Sequence, residues 1–538
     1  MRGLVHWALA ALVLPVGLWV QDAGAATGCA DPLAALPRLD KLPLDIEGLK
    51  GFYSVPDGQA PSPCVWTDDT AALLQATLDK LGEDGLDPEQ FHAALLAAQA
   101  NPADASAAQE RDLLATDAAL AYARTMATGR VDVASLSDQI YFPQTPYDPA
   151  GPLRDALGRG ELAAWLGKLV PTDPQYAALK AALAHYRTLA AWQIVPNPGG
   201  KALDPGAENP VIPPLKQRLV VEGELDAADK GDTLDGPVLD SLKHFQHRHG
   251  LTPDGRLGKG SFAALNVPLA ERIGQIVANL ERRREVSRLL PPTRIEVNVA
   301  AATVTMRRDG EPVSGMRAVV GDAEHQTPML ISNIRDVEIN PPWIVPASII
   351  KKEIRPKLKR DPDYLTKNEM AWSDSGQLVQ APGAKNSLGH LKFEFSNPFA
   401  VYLHDTPMHR LFALDGRALS HGCVRLEHPL ALAQSLLATE SPDPIQQAID
   451  SGTTSRMRLA TSMPVAVLYW SVLVEPDGTV DFRDDLYHRD ARLVAALAKP
   501  RRLPGTAAPA PVVPPPTPAP VLGPGGGAEH CVGACRNT

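Results

Sequence analysis

The sequence predicts a multidomain α+β protein whose helices come first and whose strands come last. Residues from about 30 to 190 are rich in Ala and Leu, and apolar residues recur there every three or four positions, as in Thr70–Leu81 and Leu113–Met126. From Arg294 onwards the apolar period changes to two, which is typical of strands. A Pro- and Gly-rich stretch at 196–214 follows the first helical region and is predicted to be a linker or an irregular connection.

The first residues predict an export signal. Met1 and Arg2 precede the apolar stretch Leu4–Val20, and Ala23-Gly24-Ala25 then offers small residues for cleavage. This pattern indicates a signal peptide at 1–25, with an uncleaved membrane anchor as the alternative. No later segment is long and apolar enough to span a bilayer, so we expect no membrane span in the mature chain.

Two helical regions are expected before the strands. The first, at 30–200, carries no cluster of reactive side chains and is predicted to be a helical scaffold domain. The second is a compact three-helix unit at 213–268, where Leu239, Leu242 and Phe245 form one apolar helix face.

A mainly β domain is predicted at 292–460, followed by an extension of that domain at 461–498. Asp309-Gly310 marks a hairpin turn between two alternating runs. The Pro- and Gly-rich tail 499–538 cannot bury a core and is expected to be disordered. The predicted strands are Arg294–Val299, Ala302–Arg307, Pro312–Val320, Val337–Asn340, Leu391–Phe395, Phe399–His404 and Val465–Val474, and helices are predicted from Pro346 to Arg355 and from Pro429 to Leu437.

The five cysteines are distributed unevenly along the chain. Cys29 and Cys64 are both near the start, and Cys531 and Cys535 lie four apart in the tail. If these pair locally, Cys423 is the one free thiol, as expected of a nucleophile in an oxidising compartment. A buried, inert Cys423 is the alternative, and the connectivity stays open.

The strongest chemical signal is a Cys–His pair. Cys423 lies within Ser420–Arg425, and His404, nineteen residues upstream, closes a predicted strand. A thiol is a strong nucleophile only as thiolate, and a nearby imidazole can activate it. Gly422 permits a tight turn beside the thiol, and the N–H groups of residues 421–423 could converge on an oxyanion.

Other classes of function find less support. The formal net charge is −10, and no feature indicates a nucleic-acid partner. His244, His247 and His249 lack a carboxylate at a useful spacing, so an exposed polar face is expected there rather than a metal site. The local Cys signature of papain-like proteases is absent.

The last domain resembles the L,D-transpeptidase catalytic domain. The run 239–266 likewise resembles the small peptidoglycan-binding domain of cell-wall enzymes, and the domain order is that of the larger Gram-negative members, which implies a periplasmic location. The matching segments are Arg317–Gly321, Gln326–Pro328, Asn340–Trp343, Tyr402–Pro407 and Ser420–Arg425.

The resemblance implies an enzyme that cross-links peptidoglycan without a cofactor. The donor would be a tetrapeptide stem, attacked at its third residue with release of D-Ala. The acyl group would pass to the side-chain amine of another stem and give a 3→3 cross-link. Carbapenems should acylate the cysteine, and cell-wall synthases are possible partners.

The resemblance also assigns roles to residues. Cys423 is implied as the nucleophile that forms a thioester and His404 as the base, with its ring oriented by the Asp405 carbonyl. His421 is a shaping residue or the alternative base. The oxyanion is expected at the N–H groups of Gly422 and Cys423. Substrate contacts are expected from Arg425, Tyr402, Ser420 and from Trp372, which lies in a predicted covering loop at 361–385.

Several alternatives remain at this point. If water is the acceptor, the protein is an L,D-carboxypeptidase or endopeptidase. If a protein lysine is the acceptor, it attaches a lipoprotein to the wall. A protein of another class, a non-catalytic wall-binding module, would keep the fold without the chemistry.

Overall fold

The computed structural model describes residues 29–54, 63–143, 146–228, 230–438 and 442–501. The predicted signal peptide at 1–25 and most of the predicted tail, including Cys531 and Cys535, lie outside these residues. Within the described ranges, no helix has the length and apolar character needed to cross a membrane. The predicted α+β class is confirmed, since helices dominate the first part and strands the last.

Helices form where the sequence shows a 3.6-residue apolar period and a suitable first residue. The Thr67 hydroxyl, for example, accepts the N–H of Thr70 and caps the helix that follows. The helices are α1 Ile46–Tyr53, α2 Asp68–Leu78, α3 Ala93–Ala98, α4 Ala105–Thr128, α5 Ala150–Arg159, α6 Leu162–Leu169, α7 Pro174–Tyr186, α8 Ile212–Val221, α9 Gly236–Arg248, α10 Lys259–Leu265, α11 Leu269–Val286, α12 Ala347–Ile349, α13 Arg355–Arg360, α14 Tyr364–Lys367, α15 Pro429–Leu437, α16 Asp443–Asp450 and α17 Arg489–Leu497.

Strands concentrate after residue 290, where alternating apolar residues bury one face. The strands are β1 Ile140–Tyr141, β2 Arg294–Asn298, β3 Thr303–Arg308, β4 Glu311–Gly321, β5 Met329–Ile339, β6 Trp343–Ile344, β7 Met370–Trp372, β8 Leu378–Gln380, β9 Leu391–Phe395, β10 Leu403–His404, β11 Ala418–Ser420, β12 Val424–Leu426, β13 Ser455–Leu468, β14 Val472–Val474 and β15 Val480–Phe482.

The chain forms two compact units, and the predicted helical domain at 30–200 contributes to both. The first unit contains the described parts of 1–79, 91–121 and 150–165. It has a disulfide between Cys29 and Cys64 and a core that includes Tyr53. The Tyr53 hydroxyl donates to Asp112, at 2.5 Å, and burial raises the pKa of that carboxyl to about 6.

The second unit contains the described parts of 80–90, 122–149 and 166–538. Its three-helix part consists of α8, α9 and α10, whose apolar faces meet in a core that includes Leu242 and Phe245. The prediction of an exposed face is wrong for His249. This ring is buried and stacks on Phe245 with centroids 3.8 Å apart, because its helix turns it inward rather than to solvent.

The main sheet runs in the order β1-β5-β13-β2-β3-β4-β12-β10-β9. β9 also pairs with β5, so the strands from β5 to β9 form a closed sheet. A smaller sheet, β6-β8-β7, packs with α12, α13 and α14 around Val345, Ile354, Met370 and Leu378.

The predicted strand Phe399–His404 is wrong over most of its length, because only Leu403–His404 is strand. The Asn397 side chain accepts the N–H groups of Phe399 and Val401 and donates to the Val401 carbonyl at 2.8 Å. These bonds close a local turn and replace strand pairing.

The helix predicted to end before Pro356 instead continues to Arg360. Proline lacks an N–H and its ring clashes with the carbonyl four residues earlier in a regular helix. Here a wide π turn, Ile350–Ile354, lies between α12 and α13, and Pro356 occupies the first turn of α13. A widened turn relieves the conflict and keeps the helical path.

Candidate active site

Strand register places the predicted nucleophile beside the predicted base. β10 and β12 are parallel, with Leu403 opposite Val424 and His404 opposite Arg425. One position earlier, the Val424 N–H donates to the Tyr402 carbonyl at 3.0 Å, so Tyr402 is next to Cys423. Side chains alternate along a strand, and these four reactive groups therefore share one face.

The Cys423 thiol is free and partly exposed. The hydroxyl and the backbone N–H of Tyr402 both lie within hydrogen-bonding reach of its sulfur. Burial raises the pKa of the thiol, while the Tyr402 bonds and the charges of Lys392 and Arg425 lower it. Burial outweighs these contacts, so the pKa of the thiol lies above its usual value, and the donors and cations around the sulfur limit that rise.

The His404 ring is almost completely buried, with 4% of its surface exposed. Its Nδ1 bonds the Asp405 carbonyl at 2.5 Å, which orients the ring and leaves the Nε2 lone pair as acceptor in the neutral form. Burial, followed by the charge of Arg425, lowers the pKa of His404 to about 3. No direct hydrogen bond joins the ring to Cys423 among the described residues; the thiol's partner is Tyr402.

The loop that carries the thiol is fixed by hydroxyl groups. Gly422 has a φ of +109°, a conformation that suits glycine alone. The Ser420 hydroxyl donates to the Cys423 carbonyl at 2.6 Å and accepts the Gly422 N–H at 3.2 Å. Thr327 donates to the Gly422 carbonyl at 2.8 Å. The loop is therefore held on both sides.

These bonds change two expectations from the sequence. Ser420 is buried and its hydroxyl already donates within the loop, so its O–H is not available to a substrate. The Gly422 N–H is likewise occupied. Among the described residues, the N–H of Cys423 has no acceptor and can therefore donate to an oxyanion.

The His421 side chain contacts the wide turn Ile350–Ile354. Its Nε2 lies 2.9 Å from an oxygen of Glu353, and its ring centroid lies 4.5 Å from that of His325. Asp322 holds the His325 Nδ1 at 3.0 Å. This contact joins the helical segment 347–360 to the loop that carries the nucleophile.

Arg425 provides a cation with spare hydrogen-bonding capacity. Its side chain donates to no residue in the described ranges, and its Nε is buried without a partner. Burial lowers the pKa of its guanidinium, and Cys423 and Glu353 act against that shift. A guanidinium beside the thiol suits bidentate recognition of a carboxylate.

Trp372 is in the smaller sheet, at the end of β7, and 53% of the residue is exposed. Within the described residues, no contact connects it to Cys423. The described part of the chain also contains no group of three or more His, Cys, Asp or Glu side chains suited to a metal ion.

Lys392, Thr327 and Glu353 were not assigned roles from the sequence. Lys392 is on β9, opposite His404. Thr327 belongs to a segment that matched the family, yet its bond to Gly422 depends on a loop almost a hundred residues away. Only strand register and long-range packing reveal these contacts.

A thiol with a hydroxyl partner, a carbonyl-oriented imidazole and two nearby cations is an arrangement suited to cysteine acyl transfer. Residues 292–459 match the family model of the L,D-transpeptidase catalytic domain, and residues 48–183 match that of the Scaffold domain. The later part of the chain is therefore similar to L,D-transpeptidase catalytic domains, and an earlier part is similar to Scaffold domains.

A curated Haemophilus influenzae protein named "Putative L,D-transpeptidase" is 31% identical over 221 residues, which cover 37% of this chain and 45% of that protein. The chain thus spans less than half of this relative. Solved structures of the L,D-transpeptidases of Mycobacterium smegmatis and Xylanimonas cellulosilytica are 17% and 15% identical. The matches cover 33% and 51% of this chain, and 58% and 100% of theirs, both with a TM-score of 0.17. Scores of this size do not establish a shared overall fold.

Proposed function

We propose that this protein is a peptidoglycan L,D-transpeptidase that forms 3→3 cross-links through a thioester on Cys423. The observation that carries the proposal is the free, partly exposed thiol, which shares one strand face with Tyr402, His404 and Arg425 inside a domain of this family. No cofactor is needed, because thiol acyl transfer uses only side chains and backbone donors.

The first half-reaction breaks an amide. The sulfur of Cys423 attacks the carbonyl carbon of the third stem residue while the Nε2 lone pair of His404 accepts the thiol proton. The N–H of Cys423 stabilises the oxyanion. The C–N bond then breaks, and D-Ala leaves after its amine takes the proton from His404. Catalytic hydrogen bonds often tighten only when substrate binds, which fits the absence of a direct bond between the two side chains here.

The second half-reaction forms the cross-link. The amine of a second stem attacks the thioester carbon, its proton passes to His404, and the C–S bond breaks to restore the thiol. Arg425 binds a stem carboxylate during both steps, because its guanidinium has unused donors beside the sulfur. The energy of the first amide is conserved in the thioester, so ATP is not required.

The proposed location is the periplasm. The Cys29–Cys64 disulfide supports an oxidising compartment, where such bonds persist. The three-helix part, α8 to α10, is proposed to bind peptidoglycan and thereby to raise the local concentration of stems. Cell-wall synthases are possible partners in supplying nascent strands.

Muropeptide analysis tests the proposed reaction. Tetrapeptide-rich sacculi are incubated with the full protein or with Cys423→Ala, and the digested products are separated and identified by mass. Wild type should give 3→3 dimers and free D-Ala, and the variant neither. Tripeptides without dimers would replace the proposal by a carboxypeptidase, and a new lysine-linked protein would replace it by lipoprotein attachment.

A further inference from the structure

A row of charged side chains crosses five strands and ends at the candidate site. Register places Arg456 opposite Glu338, Glu338 opposite Lys392, Lys392 opposite His404, and His404 opposite Arg425. Directly paired residues share a face of the sheet, so the five side chains form one line. In this row, Lys392 is directly opposite His404 and has no role in the proposed mechanism.

The ammonium of Lys392 is held in place despite its flexible stem. It pairs with Glu394 on its own strand and lies 3.4 Å from the Glu338 carboxylate. Arg456 contacts Glu394 at 3.2 Å and Glu338 at 3.6 Å, which fixes both carboxylates. Only 14% of the Lys392 side chain is exposed, so the charge is weakly screened by solvent.

The held ammonium acts on the residue that contacts the sulfur. Lys392 Nζ lies 4.6 Å from the centroid of the Tyr402 ring, a distance within the range of a cation–π attraction. Tyr402 is the hydrogen-bond partner of Cys423. The position of the phenol hydroxyl at the sulfur is therefore coupled to the position of the ammonium.

The charge also reaches the reacting groups directly. Lys392 lowers the pKa of the Cys423 thiol and that of His404. The effect on the thiol favours a negative sulfur, whereas the effect on His404 keeps the resting imidazole neutral and makes it a weaker base. The other charged groups around the sulfur are Arg425 on β12, Glu394 and Glu338 beside Lys392, and Glu353 beyond Arg425.

We propose that Lys392 is a positioning residue for the Cys423 chemistry: its fixed ammonium holds Tyr402 against the sulfur and supplies positive charge that favours the thiolate. The inference rests on the proposed role of Cys423 as the nucleophile. Glu338 and Glu394 moderate the charge, and Arg456 keeps those carboxylates in place.

The test measures how alkylation of Cys423 by iodoacetamide depends on pH, using the full chain and mass spectrometry of the Cys423 peptide. Lys392→Met keeps the stem and removes the charge. In this variant the midpoint of the rate–pH curve should rise by about one pH unit, and the alkylation rate at pH 7 should fall about tenfold. Lys392→Arg should stay within about threefold of wild type. Lys50→Met, at an exposed lysine of α1 outside the row, is the control and should leave the midpoint unchanged.

A second variant should shift the midpoint in the opposite direction. Glu394→Gln removes a carboxylate that offsets the ammonium, so the midpoint should fall below that of wild type. Slower alkylation with an unchanged midpoint in both Lys392→Met and Glu394→Gln would overturn the inference, because a purely structural role predicts that result. If circular dichroism shows that Lys392→Met is unfolded, Glu394→Gln and Lys392→Arg decide the question.

The outcome separates this inference from the proposed function. If wild-type Cys423 alkylates readily but the row variants leave its midpoint unmoved, only the role of Lys392 fails. If wild type gives no cross-links and no acylation by a tetrapeptide, the proposed function fails whatever the alkylation shows.

Discussion

At the scale of single residues, reactivity depends on a few polar contacts around one sulfur. The motif Ser420–Arg425 and the preceding His404 were recognisable in the sequence, because their chemistry requires those residue types. The contact of Tyr402 with the thiol was not, since it depends on the pairing of β10 with β12. The sequence therefore identifies the reacting side chains more easily than the side chains that adjust their reactivity.

Tyr402→Phe tests the hydroxyl contact. The variant keeps the ring under Lys392 and removes the bond to the sulfur. A hydrogen bond to a charged group contributes about 1.5–3 kcal/mol, so alkylation of Cys423 at pH 7 should slow about tenfold or more. Tyr141→Phe, at an exposed tyrosine on β1, is the control and should react like wild type. Equal rates for all three proteins would show that the hydroxyl does not stabilise the thiolate.

His404 predicts a pH dependence of stability. Its folded pKa of about 3 lies below the value of about 6.5 expected when unfolded. Between these values the unfolded chain binds more protons, so His404 makes the free energy of unfolding fall as pH falls from about 6.5 towards 3. Replacing the ring with an amide in His404→Gln should remove part of this fall.

Urea unfolding at pH 7 and pH 4.5 measures the effect. His404→Gln should lose less stability than wild type between the two values, by up to about 2 kcal/mol. His428→Gln, at an exposed histidine, should follow wild type. A loss in His404→Gln as large as that of wild type would contradict the assigned protonation state.

At the scale of elements, short segments are positioned by distant ones. β10 has only two residues, and the loop at residues 420–423 is held by Thr327, which also accepts the N–H of Gly321 at 2.8 Å. Tyr487, in the extension after the sheet, donates to the Gly321 carbonyl at 2.5 Å.

Strands such as β9 and helices such as α15 were predicted with their observed bounds, because each has a clear apolar period. The turn closed by Asn397 was missed, because side-chain bonds to the backbone override the strand propensity there.

Thr327→Val tests how the loop is held. Valine keeps the volume but leaves the Gly422 carbonyl and the Gly321 N–H without partners in a buried region. The free energy of unfolding should fall by at least about 1–3 kcal/mol, and acylation of Cys423 should slow about tenfold. Chemical denaturation and acylation kinetics give the two values. Thr305→Val on β3 is the matched control and should change stability by less than about 0.5 kcal/mol.

At the scale of the whole molecule, the order of helical and β regions was predictable, but the composition of the units was not. The first unit combines three separate stretches of chain, and its Cys29–Cys64 disulfide closes a sequence separation of 35 residues. Closure of the sheet between β5 and β9 also requires pairing of strands that are far apart in the sequence. Such contacts leave no local period in the sequence, which is why only their elements could be predicted.

The disulfide predicts a stability effect confined to its own unit. Replacing both cysteines by Ser should destabilise the first unit by about 3–4 kcal/mol, because a cross-link over this separation restricts the unfolded chain. Acylation of Cys423 should be unaffected at temperatures where the first unit remains folded. Thermal unfolding followed by hydrogen exchange in each unit measures both. If protection from hydrogen exchange around Cys423 is lost at a lower temperature than protection in the first unit, the expectation is contradicted.

The most direct test of the account is to trap the acyl-enzyme. The full protein is mixed with a tetrapeptide stem that lacks an acceptor amine, quenched in acid within seconds, and digested for peptide mass spectrometry. The account predicts an adduct on the Cys423 peptide whose mass is that of the stem without D-Ala, and no adduct in Cys423→Ala. An acylated residue other than Cys423, or D-Ala release that persists in Cys423→Ala, would contradict it.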